Sequence, residues 1–176
     1  MAEWIEETVK TGIVIQQNVR TNGNVVTYET IDIKYRHRRA GGRMEYDVFI
    51  VHHVSNTSGN KNKTFTVVIG SQRLAKTLAL TTTKTGNYTY DIGTLTIDKA
   101  ELAEGEPAAS MTFKVKTTYA AGGEGEKDST QRWTCVVDKG GAVFRVMLGN
   151  ELIETEADGI EAAYVMENGE LVEVGV

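Results

Sequence analysis

From Thr30 to His37 the apolar residues Ile31, Ile33 and Tyr35 alternate with Asp32, Lys34 and Arg36. After Ala40-Gly41-Gly42 the alternation resumes as Met44, Tyr46, Val48 and Ile50 against Glu45, Asp47 and Phe49. A period of two places one set of side chains on one face of an extended chain, so each run reads as a half-buried strand. The small residues between the runs supply the turn that makes them a hairpin. Further strands are expected at 12–17, 24–28, 64–69, 88–97, 111–118 and 132–137, all rich in Val, Ile, Thr, Tyr and Phe. Turn-formers punctuate them: Asn22-Gly23, Ser58-Gly59-Asn60, Thr85-Gly86-Asn87 and Ala121-Gly122-Gly123. About seven to nine short strands with recurring turns define an all-β fold, an antiparallel sandwich or barrel. Two segments are open to a helical reading. Residues 3–9 have the makings of a short turn, and 71–80 reads either as a helix capped by Ser71 or as a strand running into the threonine-rich stretch 81–85.

A chain of 176 residues has room for one main core and a small appendage. No stretch approaches the ~18 continuous apolar residues of a membrane helix, and residues 1–10 lack the basic and apolar regions of a secretory signal. A soluble protein that stays in the compartment where it is made is therefore expected. The single cysteine, Cys135, leaves no intrachain disulfide, and three histidines give no zinc-ligand spacing. The net charge of −5 disfavours nucleic acid as a partner, because phosphate contacts need a basic face.

That charge is unevenly spread. Arg36, Arg38, Arg39 and Arg43 cluster around the 40–42 turn. Beyond Gly149 the chain carries Glu151, Glu154, Glu156, Asp158, Glu161, Glu167, Glu170 and Glu173 and no lysine or arginine. A boundary is expected at Asp138-Lys139-Gly140-Gly141, giving a body of residues 1–139 and an arm of 140–176. Inside the arm, residues 146–154 align with 165–173, nineteen positions later, with five of nine identical. Each copy has a two-residue turn, Gly149-Asn150 or Asn168-Gly169, between short apolar runs, which predicts two small hairpins. An isolated two-stranded hairpin is marginal in water, so these require a supporting surface on the body or on another subunit.

Signatures of catalysis are scarce. The chain has no nucleophile-elbow motif, phosphate loop, zinc-protease motif or dinucleotide fingerprint. His52 and His53 are neighbours on a strand pattern and so point to opposite faces, which disfavours a shared metal; His37 reads as a barrel or sheet-edge residue near the arginines. Cys135 reads as a small buried thiol and Trp133 as a packed ring. Asp91, Asp98 and Glu101 read as solvated carboxylates rather than a calcium set. No catalytic residue, cofactor or metal is expected. Tyr88 and Tyr90 share one strand face, a spacing that suits a core or, less well, a sugar-stacking surface. The arginine cluster reads as a solvated turn or as one of two functional sites, a contact for anionic glycan or phosphate or a dock for the acidic arm; of these two the dock is favoured because the opposite charge already exists in the same chain. Trp4, ahead of the first clear strand, is the candidate interface anchor.

Two stretches resemble the small immunoglobulin-like tail, baseplate or head-decoration proteins of tailed bacteriophages. One runs from Thr77 through Tyr119, with Gly93-Thr94-Leu95-Thr96-Ile97, Gly105-Glu106-Pro107 and Met111-Thr112-Phe113-Lys114-Val115. The other comprises Val143-Phe144-Arg145-Val146 and Tyr164-Val165-Met166-Glu167-Asn168-Gly169-Glu170, similar to hairpin repeats that close phage tail proteins, though Leu171 stands where such repeats often have tryptophan. The resemblance implies an immunoglobulin-like β-sandwich with a C-terminal β-hairpin extension. It also implies a virion structural role without catalysis, assembly with itself and other virion proteins, and a possible contact with host cell-wall polysaccharide. Tyr164, Asn168 and Gly169 then join the arginines and Trp4 as assembly residues. A carbohydrate-binding adhesin module is the alternative from a different functional class.

Overall fold

The computed structural model describes residues 3–20, 22–40, 42–55, 59–102, 105–137, 142–148, 151–157, 163–167 and 170–174. The strands are β1 (Ile5–Val19), β2 (Val25–Ala40), β3 (Arg43–Val54), β4 (Lys61–Ile69), β5 (Gln72–Leu80), β6 (Gly86–Ile97), β7 (Ala108–Tyr119), β8 (Glu124–Thr134), β9 (Ala142–Leu148), β10 (Glu151–Ala157), β11 (Ala163–Glu167) and β12 (Glu170–Val174). One short helix, α1 (Lys99–Leu102), lies between β6 and β7. The chain divides into two compact units, Met1–Asp138 and Lys139–Val176.

The alternation around the 40–42 turn becomes the centre of the first unit. β2 and β3 pair in unbroken register from Glu29 opposite Val54 to Ala40 opposite Arg43. Their apolar phases, Ile31, Ile33 and Tyr35 against Met44, Tyr46, Val48 and Ile50, are all buried. Eight strands form one sheet, ordered β5-β4-β7-β1-β2-β3-β6 with β8 on β7, and the sheet curls until β5 and β6 meet, nearly closing a barrel. The seam between them is held by side chains: Lys76 pairs with Asp91 at 3.1 Å, and the Thr81 amide donates to the Tyr90 hydroxyl at 2.7 Å.

Two irregularities supply the curl. β1 shifts register twice between Thr8 and Ile13, around Gly12, whose φ of 65° is left-handed and whose amide donates to Asp32 Oδ1. The second lies where Val48 faces Gly93 but Phe49 faces Asp91, so Ile92 is the extra residue of a bulge and turns inward to 1% exposure. Bulges of this kind bend and twist a strand more sharply than a regular ladder allows.

At β7 the sheet forks. β8 takes one edge along the length of β7; the other edge pairs antiparallel with β4 at Ala109–Thr112 and parallel with β1 at Lys116–Tyr119. Lys114 falls between the two pairings. Its carbonyl accepts a hydrogen bond from Lys63 Nζ at 2.5 Å, and the same ammonium reaches the Ile15 carbonyl at 3.3 Å. A lysine from the inward row of β4 thus takes the place of ladder donors in the fork, and burial lowers its pKa.

Several expectations are corrected. Residues 3–9 are no turn but belong largely to β1, and 71–80 is no helix but largely β5, whose inward row is Leu74, Lys76, Leu78 and Leu80. Lys76 interrupts that apolar row because it serves the seam, which obscured the period of two. His37 is not a sheet-edge residue; it continues the inward phase of Ile33 and Tyr35 and is 2% exposed. All strands of the first unit belong to one hydrogen-bonded sheet, including a parallel contact, rather than to two antiparallel sheets. The helix α1 was not anticipated. Its Glu101 accepts from the Ser71 amide at 2.6 Å and the Ser71 hydroxyl at 2.9 Å, so it closes the β4–β5 turn.

Candidate assembly site

The second unit holds two sheets of two strands each. β9 and β10 pair from Leu148 opposite Glu151 to Ala142 opposite Ala157, and β11 and β12 from Glu167 opposite Glu170 to Ala163 opposite Val174. The sequence repeat is a repeat of register: Met147 faces Leu152 as Met166 faces Leu171, and Val146 faces Ile153 as Val165 faces Val172. Tyr164 stands in β11 opposite Glu173, whereas Asn168 and Gly169 lie outside the described residues. Among the described residues neither hairpin has a third strand.

The first unit ends in a clamp. Tyr46 donates its hydroxyl to the Val136 carbonyl at 3.0 Å, the Val136 amide donates to the Tyr35 hydroxyl at 3.1 Å, and the Cys135 amide donates to the Pro107 carbonyl at 3.0 Å. The segment leading into the second unit is therefore fixed on both polar groups of one residue. His37 fills the space beside both tyrosine rings, at 5.9 and 6.4 Å, with its Nε2 3.7 Å from Glu7. Burial pushes the Tyr35 hydroxyl and the Cys135 thiol up to about 12, and raises Tyr46 as well. Cys135 is thus a core thiol, as its strand position indicated, and is not poised as a thiolate.

The arginines are divided by the pleat, and Arg36, Arg38 and Arg43 are met by carboxylates of the body. Arg36 and Arg38 share the outer face, where Arg36 pairs with Asp47 and Arg38 with Glu45, each at 2.7 Å. Both guanidinium groups lie over Trp4, at 5.2 and 4.4 Å from its ring centre, so the residue ahead of the first strand is the stacking partner of the cluster. Arg43 pairs with Asp98 at 3.1 Å, and Arg39 faces Met44 at the hairpin end. Asp91, Asp98 and Glu101 go to three separate partners, Lys76, Arg43 and Ser71.

One buried polar group went unread in the sequence. Glu29, 1% exposed, has its carboxylate 3.2 Å from His52 Nε2 and 3.3 Å from Lys61 Nζ, and the same ammonium donates to Gln16 Oε1. His52 is fully buried beside the Tyr90 ring at 6.2 Å. The signal existed, since Glu29 and His52 both fall on the inward phase of their strands. No group of three or more His, Cys, Asp or Glu side chains converges as a metal site among the described residues. No described helix is long and apolar enough to cross a membrane.

Comparison with models of known protein families, with curated proteins and with solved structures gives no match to this chain. The class is accordingly defined by the fold: an all-β protein whose eight-stranded sheet nearly closes into a barrel, followed by a unit of two hairpins.

Proposed function

We propose that this protein is a non-enzymatic structural subunit of a tailed-phage virion, in the tail, the baseplate or the capsid decoration. It is made in the bacterial cytoplasm and works by assembling with its own copies and other virion proteins. The observation that carries this reading is the pair of two-stranded sheets in the second unit, neither with a third strand among the described residues, because a lone hairpin needs such a strand or a packing surface for stability in water. The clamp on Val136 supports it, because an arm that bears load in a particle needs a fixed root. β8 supports it too, since among the described residues it pairs only with β7 and an unpaired strand edge accepts an added strand. On this reading the body is kin to the immunoglobulin-like modules of phage particles.

Ending the chain after Asp138 tests the proposal. The shortened protein is expected to keep its melting temperature and β-sheet circular dichroism but to sediment as a monomer and to be absent from particles. Undiminished self-association or incorporation would refute it.

A further inference from the structure

A groove of about 360 Å³ runs along the outer face of β2, β3 and β6, far from the segment that leads into the arm in sequence. Its floor is Phe49 and Val51, two half-buried apolar side chains in the outward row of a strand that has neighbours on both sides. Outward rows of sheets facing water are ordinarily polar. The register sets Phe49 between Lys34 and Asp91, and Val51 opposite Thr89. The rim is held in place before any ligand arrives: Lys34 pairs with Glu6 at 2.7 Å, Arg36 with Asp47 at 2.7 Å, and Asp91 with Lys76 at 3.1 Å. Asp47 is only 6% exposed and also accepts from Thr94 at 3.2 Å, while Arg36 is steadied from its other side by Trp4 at 5.2 Å.

We propose that this groove binds a neutral carbohydrate, one or two sugar rings lying on Phe49. Three properties select that ligand. The floor offers an aromatic surface to the C–H face of a pyranose, and the rim offers carboxylates that accept from hydroxyls beside cations that donate to them. The lining carries two cations against three carboxylates, one of which is met from outside the groove by Lys76, so the rim holds no excess of positive charge and favours no anion. The volume falls at the small end of the range for small-molecule sites, about 300–1,000 Å³, whereas a protein partner needs about 1,000 Å² of buried surface. Side chains already fixed by ion pairs lose little freedom on binding, which favours a weakly interacting ligand such as a sugar.

Every residue lining the groove belongs to the first unit, so failure of the sugar to bind leaves the assembly proposal standing, and the converse holds. The test is a titration of the intact chain with neutral maltotriose, cellotriose and chitotriose and with acidic trigalacturonate, followed through backbone amide shifts. A neutral trisaccharide is expected to shift the amides of Phe49, Val51, Thr89 and Asp91 in a saturable way. Phe49→Ala should weaken that binding by about tenfold or more with the melt preserved, since the ring faces outward. Asp91→Asn, at an exposed position, should weaken it as well and guards against a folding defect in the first variant. The proposal is overturned if none of the neutral sugars binds, if only the acidic one does, or if binding survives both substitutions. It is equally overturned if the groove amides shift with protein concentration alone, which would mark a second copy as the occupant.

Discussion

Raising the pH from 9 to 12 should unfold the barrel cooperatively, with the Tyr35 ring resonances moving to those of a phenolate in step with loss of the β-sheet signal. The cause is the clamp beneath Val136. In the unfolded chain the thiol of Cys135 ionises near 9.0 and the Tyr35 hydroxyl near 10.0, whereas in the fold burial holds both protonated to about 12. Tyr46 is displaced in the same direction. The unfolded state therefore binds fewer protons throughout this window, and stability falls as pH rises. One unit of displacement is worth about 1.4 kcal/mol, so Cys135 and Tyr35 each contribute of order 3 kcal/mol by the top of the window. That is a large share of a typical total of about 5–15 kcal/mol. A Tyr35 ring that titrates near 10 while the sheet signal persists would show that the clamp is open to water.

Replacing Glu29 with Ala is expected to cost about 3–5 kcal/mol, read as a lower urea midpoint with little change in slope. The carboxylate is 1% exposed and serves His52 and Lys61 together, so its removal leaves a buried ring nitrogen without its partner and the Lys61 ammonium with Gln16 alone of the two. Lys34–Glu6 provides the contrast. Its distance is shorter, 2.7 Å, but Glu6 is 54% exposed, and Glu6→Ala should cost less than about 1 kcal/mol. A Glu29→Ala variant as stable as Glu6→Ala would mean that the buried cluster contributes nothing net.

The hairpin of β2 and β3 was legible because both strands keep a strict period of two, with a glycine turn between them. The register repeat of the arm was legible for a related reason: a two-residue turn at a fixed distance from Val-Met and Glu-Leu leaves one way to pair. Glu29 and His52 were readable as buried, since they fall in the apolar phase. Their partner was not, because Lys61 lies on β4, 32 positions from Glu29, and pairing across the barrel depends on how the sheet closes. Closure itself rests on bulges at Gly12 and at Ile92-Gly93, and a lone glycine in a strand pattern marks a bulge without giving its direction. The arginines show the opposite limit. Four of them within eight positions read as one positive surface, yet the pleat separates Arg38 from Arg39, and the carboxylates that meet Arg36, Arg38 and Arg43 come from β3 and the end of β6.

What distinguishes the chain is a stable body carrying hairpins that are incomplete by themselves. Amide hydrogen exchange in β9 through β12, followed in dilute monomeric protein and again in the assembled state, tests this most directly. The amides of β2 and β3 should be protected in both conditions, and those of β9–β12 only after assembly. Strong protection of all four arm strands in the monomer would contradict the account, because it would mean that the hairpins need no partner.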